Sequence, residues 1–402
     1  MDIVNRQKDI LSIIDKIDIT PTMYFNAVEK YMQLARYLSD NGIEAEIYPQ
    51  GSFALGTVVR PIMKGDDAAY DLDFVCQVHD YKNTLSPTEL RNKVLKILQD
   101  SKLYDRNLKI YEECFTIEFA DIDGVGFSID IVPAVAESAE TIARLVTKTV
   151  RQDLVETAIA IPKQEYNQYS WLTNNPLGYK VWFDEINGRF NETSKIEYRQ
   201  KLLEENRHVF SSIQEIPENL DRSSLQRVIQ ILKFHRDVYY SFKTNGDEMK
   251  PISAIINTIV AKIAANAASH INVFELLQYV LEELAVYAEQ QTLDEIRFAA
   301  KYDNRSLILK KGASWVICNP ANPEDNLANQ WTDITAKTFF MWVEAVRNDL
   351  IGSLQLPDDR FRAKMENAFG KRAVSKSWGA KYQGSTTAKP VSNVSAAKPW
   401  KM

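Results

Sequence analysis

The sequence predicts an α+β protein. Helices and a small mixed, partly antiparallel sheet fill residues 1–140, a mostly helical part fills 141–370, and a basic tail fills 371–402. Three observations carry this reading. Segments alternating apolar and polar residues, or running apolar over strand lengths, gather before residue 136. Segments with a 3.6-residue period and helical length dominate after residue 140. Residues 371–402 hold seven Lys/Arg and no Asp/Glu among Ser, Thr, Ala and Gly, a composition expected to be disordered.

The elements follow in chain order. "TPTMYFNAVEKYMQLARYLSDNG" reads as a helix over about 22–41, with Thr20 as cap, Pro21 in the first turn and Asn41-Gly42 as stop. This helix is a candidate bridge between the two domains. "IEAEIY" alternates like a strand and leads to a Gly51-Ser52 turn. A polar loop, "MKGDDAA", precedes the strand "YDLDFVCQV" (70–78). "SPTELRNKVLKILQD" is a capped amphipathic helix. "KIYEECFTIEFAD" and "GFSIDIVPAV" are strands joined by a turn at Asp123-Gly124. Beyond residue 140, "SSLQRVIQILKFHRDVYYSF", "ISAIINTIVAKIAANAA", "NVFELLQYVLEELAVYAEQQ" and "ITAKTFFMWVEAVRNDLIG" have helical periodicity.

Composition narrows the function. The chain has 402 residues, 45% hydrophobic and 25% charged, which suits two soluble globular domains. Net charge is −6; outside the tail 41 basic face 54 acidic residues, a net −13. That balance argues against a protein coated in nucleic acid. The N-terminus "MDIVNRQKDILSIIDK" is charged throughout, and no apolar run reaches bilayer length. A cytoplasmic protein without a membrane partner is expected, with Cys76, Cys114 and Cys318 as reduced core residues. The histidines at 79, 208, 235 and 270 fit no metal spacing.

The carboxylates are the informative feature. In a strand, residues two apart share a face, so Leu72, Phe74 and Cys76 point into a core and Asp71 and Asp73 point together the other way. Two such carboxylates repel unless a positive charge lies between them. Alone, Asp-X-Asp also fits a solvated strand end. Asp130, set between Ile129 and Ile131, adds a third carboxylate on an apolar strand, where a cation or hydrogen-bond donors are needed. If the two strands are neighbours, three hard oxygen ligands converge, which suits Mg²⁺ or Mn²⁺. Gly51 lets backbone approach a phosphate, and the Ser52 hydroxyl can donate to one.

The order strand, Gly-Ser, Asp-X-Asp strand, lone Asp resembles the DNA polymerase β-like nucleotidyltransferases. "PQGSFALGTVVRP", "YDLDFVCQV" and "FSIDIVPAV" carry the likeness. It is closest to the cyclic GMP-AMP synthase-like and oligoadenylate synthase-like enzymes, in particular the bacterial CD-NTases of anti-phage CBASS systems. "RVIQILKFHRD", "KPISAII" and "NPANPEDNLANQW" extend it over about residues 20–370. The resemblance implies a polymerase β-like core with a helical nucleotide-binding domain. It implies Gly51 and Ser52 on the donor phosphates, joined by Lys233 and Ser253, and Asp71, Asp73 and Asp130 on two Mg²⁺ or Mn²⁺ ions. Asp130 would also help activate the attacking hydroxyl. The implied reaction joins NTPs, ATP among them, into a cyclic di- or trinucleotide with release of pyrophosphate. A defence-operon regulator and an effector reading the product are the implied partners. His235 and Arg236 flank Lys233 and add charge to the same cleft. Ser253 also fits a helix N-cap.

Two departures stand out. Ala254 occupies the position of a base-stacking tyrosine, and there is no Cys/His cluster of the kind the animal enzyme uses to bind DNA, so activation by duplex nucleic acid is not expected. The alternatives are a nucleotidyltransferase that modifies a protein, a tRNA or a small molecule, and a catalytically inactive binding scaffold.

Overall fold

A computed structural model of the chain describes residues 2–60, 62–63, 66–67, 70–122, 125–190, 221–302 and 305–383. The expected turn at Asp123-Gly124, His208 and the tail beyond residue 383 lie outside these residues. The sheet is mixed. Strands β1 (Ala45–Pro49), β4 (Tyr70–Tyr81), β7 (Val125–Ala136), β6 (Phe115–Ile122) and β5 (Leu108–Ile110) lie side by side in that order. Only β4 and β7 run parallel to each other; the other neighbours are antiparallel. Where a polar loop is expected after Gly-Ser, a short antiparallel pair forms, β2 (Ile62–Met63) with β3 (Asp66–Asp67).

Side-chain alternation sets the two faces of the sheet. Leu72, Phe74 and Cys76 of β4, with Ile129 and Ile131 of β7 and Phe115 and Ile117 of β6, pack under helices α2 (Pro21–Asp40) and α4 (Pro87–Asp100). Thr20 caps α2 through the Met23 N–H, and Ser86 and Glu89 close a capping box on α4. The opposite face carries the carboxylates. The buried apolar residues of α2 lie in the sheet core.

Two segments depart from the division expected at residue 140. Strands β8 (Ile159–Glu165) and β9 (Gln168–Asn174) extend the sheet, β8 pairing with the end of β7. Helix α1 (Ile3–Ile17) runs the other way in membership: Ile10, Ile13, Ile14 and Ile17 join the large helical core. That core is built from the helices Pro176–Gly188, Ser224–Ser241, Ser253–Ala264, Val273–Tyr287, Asp333–Val346 and Asp358–Phe369. The Asn/Pro-rich stretch folds as a hairpin, β12 (Cys318–Asn319) with β13 (Asn322–Asn326), after the small pair β10 (Leu309–Lys311) and β11 (Ser314–Val316).

The start of the expected disordered tail is ordered instead. Lys371–Trp378 is a helix whose Ala373, Val374 and Trp378 enter the helical core. The Trp378 indole N–H donates to the Asp9 carbonyl at 2.8 Å, and Lys381 and Tyr382 bind the Asp9 carboxylate. Apolar residues at 373, 374 and 378 on one helical face outweigh the polar composition. Cysteine placement also differs from expectation: Cys76 is core, Cys114 is half-buried and Cys318 is exposed, and all three are free. Among the described residues no helix is long and apolar enough to cross a membrane.

Candidate active site

The parallel register of β4 and β7 builds the site. Asp73 lies directly opposite Asp130, and Asp71 opposite Ser128. On the other side of β7, β6 sets Thr116 opposite Asp130 and Glu118 opposite Ser128. Two rows thus cross three strands on one face: Thr116–Asp130–Asp73, and Glu118–Ser128–Asp71. Thr116 Oγ1 donates to Asp130 Oδ1 at 2.5 Å, and the Ser128 hydroxyl donates to Asp71. Sequence reasoning missed these two hydroxyls. Their signal is the same period-two spacing, read on the strand facing each aspartate.

The carboxylates carry the cost of crowding. Burial, then Asp130, then Asp71 push Asp73 up to about 7. Burial also raises Asp130, partly offset by the Thr116 hydroxyl. Close carboxylates on an apolar strand hold their charge poorly unless a cation arrives. Among the described residues no three His, Cys, Asp or Glu form a ready-made metal cage. The donor set is oxygen-only and spread over two strands. It suits a hard cation that keeps water and completes its shell with phosphate oxygens.

The Gly-Ser pair sits over this row. After β1 the chain turns into a single helical turn, Gly51–Ala54, and the Gln50 N–H donates to the Asp73 carbonyl at 2.8 Å. Gly51 has φ +61°, and a Cβ there would lie 2.5 Å from Asp73 Oδ2. Only glycine allows both the backbone conformation and the approach.

The helical part reaches the same loop through one stripe of the Ser224–Ser241 helix. Gln226 Nε2, Gln230 Nε2 and Lys233 Nζ donate to the carbonyls of Leu55, Val58 and Thr57, each at 2.9 Å. Their spacing of four and three residues places them on one helix face. The two glutamines were missed in the sequence; their signal is polar residues at 226, 230 and 233 in a buried helix. Lys233 is 4% exposed, buried behind this loop. Burial, then Arg236, draws its pKa down to about 7, while Asp237 and Asp73 act in the opposite sense.

Ser253 is the first residue of its helix and makes no capping bond; Ile252 is the N-cap. The Ser253 hydroxyl accepts from Arg236 Nη1 at 3.2 Å, and the same nitrogen donates to the Pro251 carbonyl at 3.0 Å. His235 is buried and held within the helical half. Its Nδ1 accepts from the Trp342 indole at 3.2 Å, and its Nε2 lies 3.3 Å from Asp349. Beside the carboxylates, a cleft of about 550 Å³ runs along β6 and β7 from Asp71 and Asp130 to Glu118 and Tyr111.

Carboxylates paired across parallel strands, under a Gly-Ser turn and against a helical half, give the chain the α+β, polymerase β-like fold of solved CD-NTases. No protein-family model matches the chain. It is 27% identical over 327 residues, 79% of its own length and 72% of the relative's, to a c-di-GMP synthase of Roseivirga ehrenbergii. The CD-NTase CdnG of Bradyrhizobium diazoefficiens, solved with GTP, shares the fold with a TM-score of 0.63 at 20% identity. That match covers 92% of this chain and 97% of the other. Escherichia coli MS115-1 CdnC, solved with ATP, superimposes with a TM-score of 0.55 at 16% identity, covering 94% and 98%. The chain is thus similar in sequence to a cyclic dinucleotide synthase and shares its fold with solved CD-NTases.

Proposed function

We propose that this protein joins nucleoside triphosphates, through Mg²⁺-dependent nucleotidyl transfer, into a cyclic di- or trinucleotide second messenger. The direct opposition of Asp73 and Asp130, with Asp71 one step along the same face, is the observation that carries the reading. Three acidic ligands there would hold the cations, two ions as the family resemblance implies. Bound there, Mg²⁺ or Mn²⁺ would offset the charge on the triphosphate and the attacking oxygen.

The chain's own residues do the rest. The Gly51–Ser52 turn receives the donor phosphates at backbone distance. Asp130, oriented by Thr116, takes the proton of the acceptor hydroxyl as its oxygen bonds to the donor α-phosphorus. The α–β phosphoanhydride bond breaks and pyrophosphate leaves. Lys233, behind the 55–58 loop, faces the growing charge of the leaving group, and Ser253 donates to a phosphate oxygen. Lys233 would exchange the Thr57 carbonyl for phosphate. The linear product then turns and closes in a second round. The role in anti-phage defence, with an operon partner and an effector that reads the product, rests on the resemblance.

The test is to incubate the full chain with radiolabelled NTPs and Mg²⁺ and resolve the products. A phosphatase-resistant nucleotide that disappears in Asp71→Asn/Asp73→Asn is expected. Label transferred to protein, tRNA or a small molecule, or no transfer at all, would overturn the reading.

A further inference from the structure

The cleft beside the carboxylates has Glu118 at its far end, paired with Lys109 from beyond the lining, and the transfer chemistry leaves this pair unused. Glu118 continues the Asp71 row outward through Ser128. Two strand spacings separate it from Asp71, about 10 Å, the span of one nucleoside. Lys109 of β5 lies opposite Thr116 and so shares this face, and its ammonium pairs with the Glu118 carboxylate. Tyr111 forms an exposed aromatic rim, its backbone carbonyl held by the buried Arg91. A molecule reaching from Asp130 to this pair has its hydroxyl at the carboxylates and a flat ring by Tyr111.

We infer that this cleft holds the acceptor nucleotide and that the Lys109–Glu118 pair selects guanine. The inference rests on the functional reading above. An ammonium only donates and a carboxylate only accepts. Guanine alone among the four bases presents an acceptor, O6, followed by two adjacent donors, N1–H and N2–H₂. Lys109 meets the first and Glu118 the other two. Uracil, and adenine or cytosine with the base turned over, offer one acceptor beside one donor and so engage Lys109 and a single Glu118 oxygen; guanine fills both Glu118 oxygens.

The experiment separates acceptor from donor. A 2′,3′-dideoxy-NTP has an α-phosphate and lacks an acceptor hydroxyl, so every dideoxy-terminated product reports which ordinary NTP attacked. GTP is expected to outcompete ATP as acceptor with the wild-type chain. Glu118→Gln, which places a donor where guanine also donates, should cut the GTP-to-ATP acceptor ratio about ten- to hundredfold, the usual worth of one bidentate base contact. Lys109→Ala should cut the same ratio by a smaller factor. Both residues are half-exposed on the sheet surface, and melting curves matching wild type check that the variants fold. Product formed with no guanosine preference, or with a ratio that neither variant changes, would overturn the inference while leaving nucleotidyl transfer intact. No dideoxy-terminated product with any NTP would instead overturn the functional reading beneath it.

Discussion

Asp73→Asn should make the protein more stable above neutral pH, in EDTA, while removing its chemistry. The Asp73 carboxyl faces Asp130 across the parallel strands and abuts Gly51. Burial first, and its two acidic neighbours next, lift its pKa from 3.8 to about 7. A carboxyl with a raised folded pKa loses stability as pH climbs between the unfolded and folded values, because the unfolded chain releases its proton first. The penalty is absent below about pH 4, grows to about pH 7 and is constant above it. A lift of roughly three units is worth about 4 kcal/mol at 1.36 kcal/mol per unit. Residual solvent contact of the partly exposed Asp73 brings the expected gain of the Asn variant down to about 1–3 kcal/mol. Calorimetric Tm values from pH 4 to 9 read it directly. Wild type and variant should melt together near pH 4 and separate as pH rises, by at most a few degrees per kcal/mol. Adding Mg²⁺ at pH 8 should raise the wild-type Tm more than the variant's. A Tm difference independent of pH, or a variant less stable than wild type at pH 8, would refute the reasoning.

Other outcomes follow from the same geometry. Lys233→Ala should raise the KM for NTP about ten- to hundredfold, and should cost about 1–3 kcal/mol of stability because the Thr57 carbonyl loses its donor; Lys233→Arg should rescue the KM only in part, and wild-type kinetics in the Ala variant would remove Lys233 from the site. Since the folded Lys233 pKa lies near 7, well below that of an unfolded lysine, wild-type stability gains from this group as pH rises from about 7 toward 10; thermal melts that show Lys233→Ala losing most at high pH would check the sign. Gln230→Leu should leave the buried Val58 carbonyl without its donor and lower kcat/KM severalfold by loosening the loop that follows Gly51 and Ser52; unchanged steady-state kinetics would show that the loop is held by other contacts. Ending the chain after residue 383 should leave NTP turnover near wild type, whereas ending it after residue 370 should lower Tm by several degrees, because Trp378 leaves the core and Asp9 loses three partners; equal melting of the two truncations would contradict the packing.

The catalytic face was legible because strand periodicity is a strong constraint. Once Leu72, Phe74 and Cys76 face a core, Asp71 and Asp73 must face away from it, and Asp130 stands out between two isoleucines. What the sequence does not carry is register. Whether Asp130 meets Asp73 or Asp71 depends on a parallel pairing between strands separated by α4 and two further strands, and neither residue's neighbours specify it. Membership of distant segments was also hidden. Strand β8 reads as apolar sequence in a helical context, and only its pairing with β7 reveals its place. Helix α1 has an ordinary amphipathic pattern that does not name its partner core. Lys233 could be located but not its burial, since a lysine on an apolar helix fits either a phosphate or a carbonyl. The Lys371–Trp378 helix was obscured by its polar composition, although its few apolar residues share one face.

The most direct test of the central claim is the pyrophosphate released per nucleotide consumed by the purified chain with NTPs and Mg²⁺. Closing a ring makes one phosphodiester bond per nucleotide, so the account predicts one pyrophosphate for each nucleotide consumed, falling to background in Asp71→Asn/Asp73→Asn. A linear product releases fewer pyrophosphates than nucleotides. A ratio that stays below one at completion would contradict cyclisation, and no release at all would contradict the assignment of this site to nucleotidyl transfer.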